Sequence, residues 1–90
     1  MTALHVPVEI AAGDMRVWRL SEAIDRGAIR FAREVPFDRG TRVQLSLVLP
    51  GGAAVRVDGD CTSAEEVRFA ARPPEQQAIE AYMQEQSSEP

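Results

Sequence analysis

The segment that decides the fold is Thr41–Cys61, TRVQLSLVLPGGAAVRVDGDC. Its first half alternates apolar with mostly polar residues, and the apolar set is Val43, Leu45, Leu47 and Leu49. Its second half alternates again, with Val55, Val57, Gly59 and Cys61 opposed to Arg56, Asp58 and Asp60. A period of two predicts strands with one buried face. Because Pro50-Gly51-Gly52 between the halves favours a chain reversal, the segment predicts a β-hairpin.

Shorter alternating segments surround this hairpin. The further predicted strands are Leu4–Ile10, Met15–Leu20, Ala28–Arg33 and Glu66–Ala71. The predicted reversals and loops are Ala11–Asp14, Ser21–Gly27, Glu34–Gly40 and Thr62–Glu65. Pro73-Pro74-Glu75 is typical of a helix start, and an apolar stripe at helical spacing follows: Ala78, Ile79, Tyr82 and Met83. These elements predict a small six-stranded antiparallel β-barrel with a C-terminal helix, in one domain over residues 1–86 with a disordered tail at 87–90.

Composition narrows the classes of partner. The 90 residues carry a formal net charge of −4, and all ten basic residues are arginine. An acidic chain is a poor ligand for a nucleic-acid duplex. Without an apolar run of about 18 residues, no membrane insertion is expected. A lone cysteine is typical of the cytoplasm. Because a domain this small is marginally stable, a homodimer stays among the expectations.

The residues that usually perform catalysis or bind metals are scarce. One histidine (His5) and one cysteine (Cys61) are fewer than the three or four ligands that zinc requires. Cys61 belongs to the apolar face of its predicted strand, which favours a core residue over a nucleophile. Asp58 and Asp60 share the opposite face and are interpreted as solvated strand residues. The sequence therefore predicts neither a metal site nor an enzyme.

Arginines are the residues with functional promise. Arg16 and Arg19 flank Trp18, and Arg26 follows closely. Arginine pairs with phosphates and guanines and stacks on rings, although outward arginines on solvated strands are the simpler interpretation. Tryptophan and arginine are also enriched where binding energy concentrates. We predict a partner-binding surface of Trp18, Arg16 and Arg19, with the alternative that Trp18 fills the barrel.

The chain resembles the PilZ domain family of bacteria from Ser21 to Met83. The segments that carry the resemblance are GAIRFAREVPFDRGTRVQLSLVLPGG, AVRVDGDC and EEVRFAARPPEQQAIEAYM, with VPVEI similar to the family's first strand. The resemblance implies a six-stranded barrel with a C-terminal helix. It also implies a link to cyclic di-GMP, the second messenger that the family commonly binds and whose signal it passes to motility, pilus or exopolysaccharide machinery.

The family's two ligand motifs are largely absent. Its R-x-x-x-R motif falls on Met1 and His5, neither of which is arginine. Its D/N-x-S-x-x-G motif falls on Glu22, Ile24 and Gly27, so that only the glycine is kept. Hydrogen bonds to charged groups contribute about 1.5–3 kcal/mol each. Losing both arginines would therefore weaken binding by about 10²–10⁴-fold.

Three hypotheses of function follow. The first is a PilZ-like adaptor of second-messenger or motility signalling, including type IV pilus systems, that acts on an unidentified protein partner without a cofactor. The alternative is a cyclic di-GMP receptor that uses Arg16, Arg19, Arg26 and Gly27 instead of the missing motifs. The third is an unrelated barrel that binds nucleic acid, which the acidic charge and the scarcity of aromatic residues disfavour.

Overall fold

The computed structural model of the chain describes residues 2–49 and 54–87, with side chains through Gln84. Seven strands are followed by one helix: β1 (Thr2–Ala3), β2 (Pro7–Ala12), β3 (Met15–Ile24), β4 (Ala28–Phe31), β5 (Arg42–Val48), β6 (Ala54–Cys61), β7 (Glu66–Ala70) and α1 (Pro73–Ser87). Within the described residues, no helix is long and apolar enough to cross a membrane.

The strands close into an antiparallel barrel. Their order is β1-β3-β2-β5-β6-β7-β4, and an additional pairing between β3 and β4 closes the ring. The short β1 extends the β2 side of β3, where Thr2 pairs with Ile24. Six strands therefore form the wall, which confirms the predicted six-stranded barrel with a C-terminal helix.

The central hairpin has the predicted alternation. β5 pairs with β6 from Arg42↔Asp60 to Val48↔Ala54. The apolar face predicted for both strands is buried, whereas Arg56, Asp58 and Asp60 are exposed. The predicted reversal at Pro50-Gly51-Gly52 lies outside the described residues.

A single core fills the barrel and extends under the helix. Its largest fully buried side chains include Phe31, Ile10, Ile24 and Ile29, together with Ile79 from α1. The rest of the predicted helical stripe, Ala78, Tyr82 and Met83, packs against the same core. Because α1 adds its stripe to the interior, it is part of the domain's hydrophobic core.

Two strands approach each other closely at Gly59, whose position faces the interior from β6. A Cβ built there would lie 2.9 Å from Val67 Cγ1 and still closer to the Arg68 carbonyl oxygen. The spacing between β6 and β7 at this point therefore requires a residue without a side chain.

The N-terminal elements differ from the prediction. Leu4–Val6 connects β1 to β2, and the strand predicted to end at Ile10 continues to Ala12. Only Gly13 and Asp14 turn the chain, because Ala12 pairs with Met15. Gly13 has φ +59°, a conformation that residues with a side chain rarely adopt.

The prediction for Ser21–Gly27 was largely wrong. β3 continues through Ile24, so the reversal is confined to residues 25–27. Ser21 is fully buried, and its Oγ accepts a hydrogen bond from the Val6 N–H at 2.9 Å while donating to the Leu4 carbonyl. The hydroxyl supplies the hydrogen bonds that an irregular β1–β2 connection lacks, which is why a polar side chain lies inside the wall.

The remaining boundaries shift by one or two residues. β4 ends at Phe31 rather than Arg33, and β7 ends at Ala70 rather than Ala71. The helix extends to Ser87, one residue into the predicted tail. Residues 88–90 lie outside the described part of the chain, so the remainder of the predicted tail stays a prediction.

Candidate partner-binding surface

The first half of β3, Met15–Leu20, is one arm of the β2–β3 hairpin and forms an edge of the sheet. Its residues pair with β2 from Leu20↔Pro7 to Met15↔Ala12. Pairing with β4 begins only at Ser21. Within the described residues, the other edge of Met15–Leu20 therefore has no neighbouring strand.

Register decides which side chains face outward. Val17 pairs with Ile10, a fully buried core residue of β2, and therefore faces the interior. Residues one position away face the opposite side. The outer face of the first half consequently carries Arg16, Trp18 and Leu20.

Large apolar side chains are exposed here. Trp18 is 56% exposed, and Leu20 and Met15 are each 50% exposed. Among the described residues, these three are the large hydrophobic side chains that remain exposed. Trp18 lies outside the core, so the alternative that it fills the barrel is wrong. Exposed apolar groups clustered on one strand are typical of an interaction surface.

Arg19 has a different role from Arg16. Its Nε donates to the Glu34 carbonyl at 3.0 Å, and its Nη1 donates to the Trp18 carbonyl at 2.9 Å. The guanidinium therefore ties the loop after β4 to the edge of β3. Beside it lies a shallow cleft of about 410 Å³, lined by Trp18, Arg19, Leu20, Ala32, Arg33 and Glu34.

The structure does not bring the three arginines of the receptor hypothesis together. Arg16 is near the Gly13 turn, whereas Arg26 follows the far end of β3. The strand from Arg16 to Ile24 spans about 26 Å at the usual rise per residue. Arg26 Nε instead lies 3.1 Å from Glu80 Oε1, which links the β3–β4 turn to α1.

The residues that the resemblance aligns with the second PilZ motif lie at the end of β3 and in the turn that follows it. Asp25 Oδ1 accepts hydrogen bonds from the N–H groups of Gly27 and Ala28 at 2.9 and 2.8 Å. The Ile24 side chain is fully buried, and Glu22 is exposed at an irregularity in the β3–β4 register. The capping role of Asp25 was missed from sequence, although Asp two residues before Gly is a recognisable Asx-turn signal.

The first family motif has only its second position within the described residues, because Met1 lies outside them. His5 is exposed, and its Nδ1 lies 3.3 Å from the Ser21 carbonyl oxygen. This contact holds the imidazole of the β1–β2 connection against β3. His5 therefore has a structural role in the barrel wall.

A second cleft, of about 620 Å³, lies against β6, β7 and the β3–β4 turn. Its charged lining residues are Asp25, Asp58, Asp60, Glu66, Arg42 and Arg68. Four carboxylates against two guanidiniums disfavour an anionic ligand. One of these guanidiniums is also engaged, since Arg42 Nε lies 3.6 Å from Asp60 Oδ1.

Neither metal nor thiol chemistry has a site among the residues described. No group of three or more His, Cys, Asp or Glu side chains is arranged to hold a metal ion there. Cys61 is buried in the core, as predicted. Burial, and secondarily the Asp60 carboxylate, raise the pKa of the Cys61 thiol, which disfavours the reactive thiolate.

Comparisons with known proteins identify a structural neighbour. No protein-family model matches the chain, and no curated protein sequence matches it. The fold is similar to the solved structure of the Bacillus subtilis inhibitor of motility, MotI/DgrA, with a TM-score of 0.76 and 19% sequence identity. The similarity covers 96% of this chain and 48% of the neighbour, so this chain spans about half of that protein's length. At this identity the similarity establishes a shared fold.

Proposed function

We propose that the protein is a cytoplasmic PilZ-like adaptor that acts by protein contact in bacterial motility or second-messenger signalling, without a cofactor. The shared fold with an inhibitor of motility supports the pathway. The resemblance of the sequence to the PilZ family supports the class of module.

The observation that carries the proposal is the exposed Trp18, with Leu20 and Arg16 on the same outer face. The Trp18 ring is 56% exposed, and removing its apolar surface from water by contact with a partner is favourable. The arginine beside it adds a charged group that can pair with or stack on a partner. Arg19, the third member of the predicted surface, positions the adjacent loop.

The absence of a ligand is proposed on separate grounds. Ile24 is buried where the family motif has serine, and Asp25 binds the backbone of its own turn. Arg26 is paired with Glu80, and the neighbouring cleft is mostly acidic. A dinucleotide with two phosphates would meet carboxylates there, which is electrostatically unfavourable.

Co-purification from the native host tests the adaptor role. Tagged wild-type protein should retain a specific partner that Trp18→Ala loses, whereas Arg56→Ala, an exposed change on β6, should retain it. Circular dichroism should show the same melting temperature for both variants within a few degrees. If Trp18→Ala retains every partner of the wild type, the proposed contact surface is wrong.

A further inference from the structure

We propose that the first half of β3 binds an extended acidic segment of a partner protein as an additional strand of the barrel wall. This inference rests on the proposed function and specifies how the partner is held. It follows from three features of Met15–Leu20: backbone groups available at the edge, apolar side chains beside that edge, and two arginines with no acidic residue in the segment itself.

The backbone groups follow from the alternation of a β-strand. The Leu20 carbonyl accepts from the Ala32 N–H at 3.1 Å, so the backbone groups of Leu20 point toward the β4 side. Trp18 and Arg16, at steps of two, point the same way. Because β3 pairs only with β2 before Ser21, the Arg16 carbonyl and the N–H groups of Arg16 and Trp18 point to an edge without a strand, and none of the hydrogen bonds outside the strand ladders uses them. These groups are those that an added strand would pair.

The same edge is closed from the Trp18 carbonyl onward. The Trp18 carbonyl accepts a hydrogen bond from the Arg19 guanidinium, and the Leu20 carbonyl accepts one from the Ala32 N–H. The loop held at Glu34 then stands beside the strand. An incoming segment would therefore pair with the Arg16 backbone groups and the Trp18 N–H, before the point at which the loop closes the edge.

The side chains favour an apolar contact on the outer face. Trp18 and Leu20, each at least half exposed, lie next to the position of the added strand. Cross-strand contacts of aromatic residues with β-branched or apolar neighbours stabilise paired strands. A segment with an apolar residue opposite Trp18 would cover the ring.

Charge selects an acidic segment over a second copy of this chain. Met15–Leu20 contains Arg16 and Arg19 and no acidic residue, within a chain whose net charge is −4. Pairing β3 with β3 of another copy would bring no carboxylate of this segment to Arg16, because Met15–Leu20 has none to offer. A carboxylate beside Arg16 would form an ion pair instead.

Selection from a displayed library of random octapeptides, with the full chain as bait, tests the inference. We expect enriched peptides to alternate Asp or Glu with apolar residues. Binding of a synthetic peptide should weaken at least tenfold in Arg16→Glu and recover when Lys replaces its acidic residues. Amide hydrogen exchange should slow at Arg16 and Trp18 when the peptide binds, with little change at Val17, whose amide already pairs with β2.

A matched pair of variants isolates the backbone contribution. Trp18→Ala removes the ring, whereas Trp18→Pro removes the ring and the edge N–H while leaving the β2 side intact. The proline variant should bind the peptide at least fivefold more weakly than the alanine variant, with both variants folded by circular dichroism. Should the proline variant unfold, the exchange measurement on the wild type decides alone.

Other outcomes overturn the inference in distinguishable ways. Peptides that bind through Trp18 without slowing the edge amides would leave the adaptor function standing and exclude strand addition. Basic or uncharged selected peptides would exclude the acidic partner. Protection of the edge amides in the absence of peptide, together with a dimer in analytical ultracentrifugation, would assign the edge to a second copy. If no peptide is selected while Trp18→Ala still loses the native partner, strand addition alone is wrong.

Discussion

The two halves of β3 share one strand and one alternating pattern, yet they occupy opposite environments. Met15–Leu20 is paired along one edge and exposes Trp18 and Leu20. Ser21–Ile24 is paired along both edges, with β1 and β4, and buries Ser21 and Ile24 completely. The number of paired edges and the elements across the interior, more than the hydrophobicity of the residues, therefore decide what is buried. A serine lies inside the wall while a tryptophan lies outside it.

The largest expected effect is the difference in stability between two variants that each place a charge in one half of β3. Ile24→Asp puts an unpaired carboxylate into the core, which costs several kcal/mol, a large part of the stability of a small domain. We expect this variant to be unfolded at 25 °C by circular dichroism. Leu20→Asp, on the exposed half, should stay folded with a free energy of unfolding within about 1 kcal/mol of wild type. Equal loss of structure in both variants would remove the distinction between the halves.

A smaller effect is expected from the hydroxyl that holds the buried half. Ser21→Ala leaves the Val6 N–H and the Leu4 carbonyl without their partner. Leaving buried hydrogen-bonding groups unsatisfied lowers the free energy of unfolding by about 1–3 kcal/mol. Urea denaturation monitored by circular dichroism should show this loss. Ser46→Ala, at a half-buried position on the outer face of β5, is the control and should change stability by less than about 0.5 kcal/mol. A Ser21→Ala protein as stable as the control would show that the β1–β2 connection does not depend on the hydroxyl.

The smallest expected effect is the heat of a titration with cyclic di-GMP, for which we expect no binding. Arg16 and Arg19 belong to the first half, and Arg26 follows the second, where it pairs with Glu80. Because these arginines are separated along the strand, we expect no binding of cyclic di-GMP below about 100 μM, a free energy of about −5.5 kcal/mol. Titration calorimetry measures this directly. Saturable heat at low micromolar ligand, abolished by Arg19→Ala or Arg26→Ala, would restore the receptor hypothesis.

Much of the barrel could be predicted because its signals are local. The hairpin of β5 and β6 follows from alternation over adjacent segments, and the helix follows from the spacing of Ile79 and Tyr82. Ser21 could not be placed this way, because its partners Leu4 and Val6 lie 17 and 15 residues away in the chain. A polar residue between strands is typical of a turn unless such distant partners are known.

The candidate surface was predicted only in part, for a similar reason. Alternation put Arg16 and Trp18 on the same face, but it could not say whether that face points inward. The register with β2 decides this, because Val17 lies beside Ile10. The tie from Arg19 to Glu34 likewise depends on how the loop after β4 folds back on β3. Neither fact is contained in the periodicity of a single strand.

The close approach of β6 and β7 at Gly59 has an evolutionary consequence. Side chains on the outer wall can drift freely, and core side chains can exchange for others of similar volume. At position 59 the constraint comes from the backbone of the neighbouring strand, because an added Cβ would collide with the Arg68 carbonyl oxygen. No substitution on β7 can remove that oxygen. Sequences that share this barrel and its strand spacing should therefore keep glycine at this position whatever their outer faces bind.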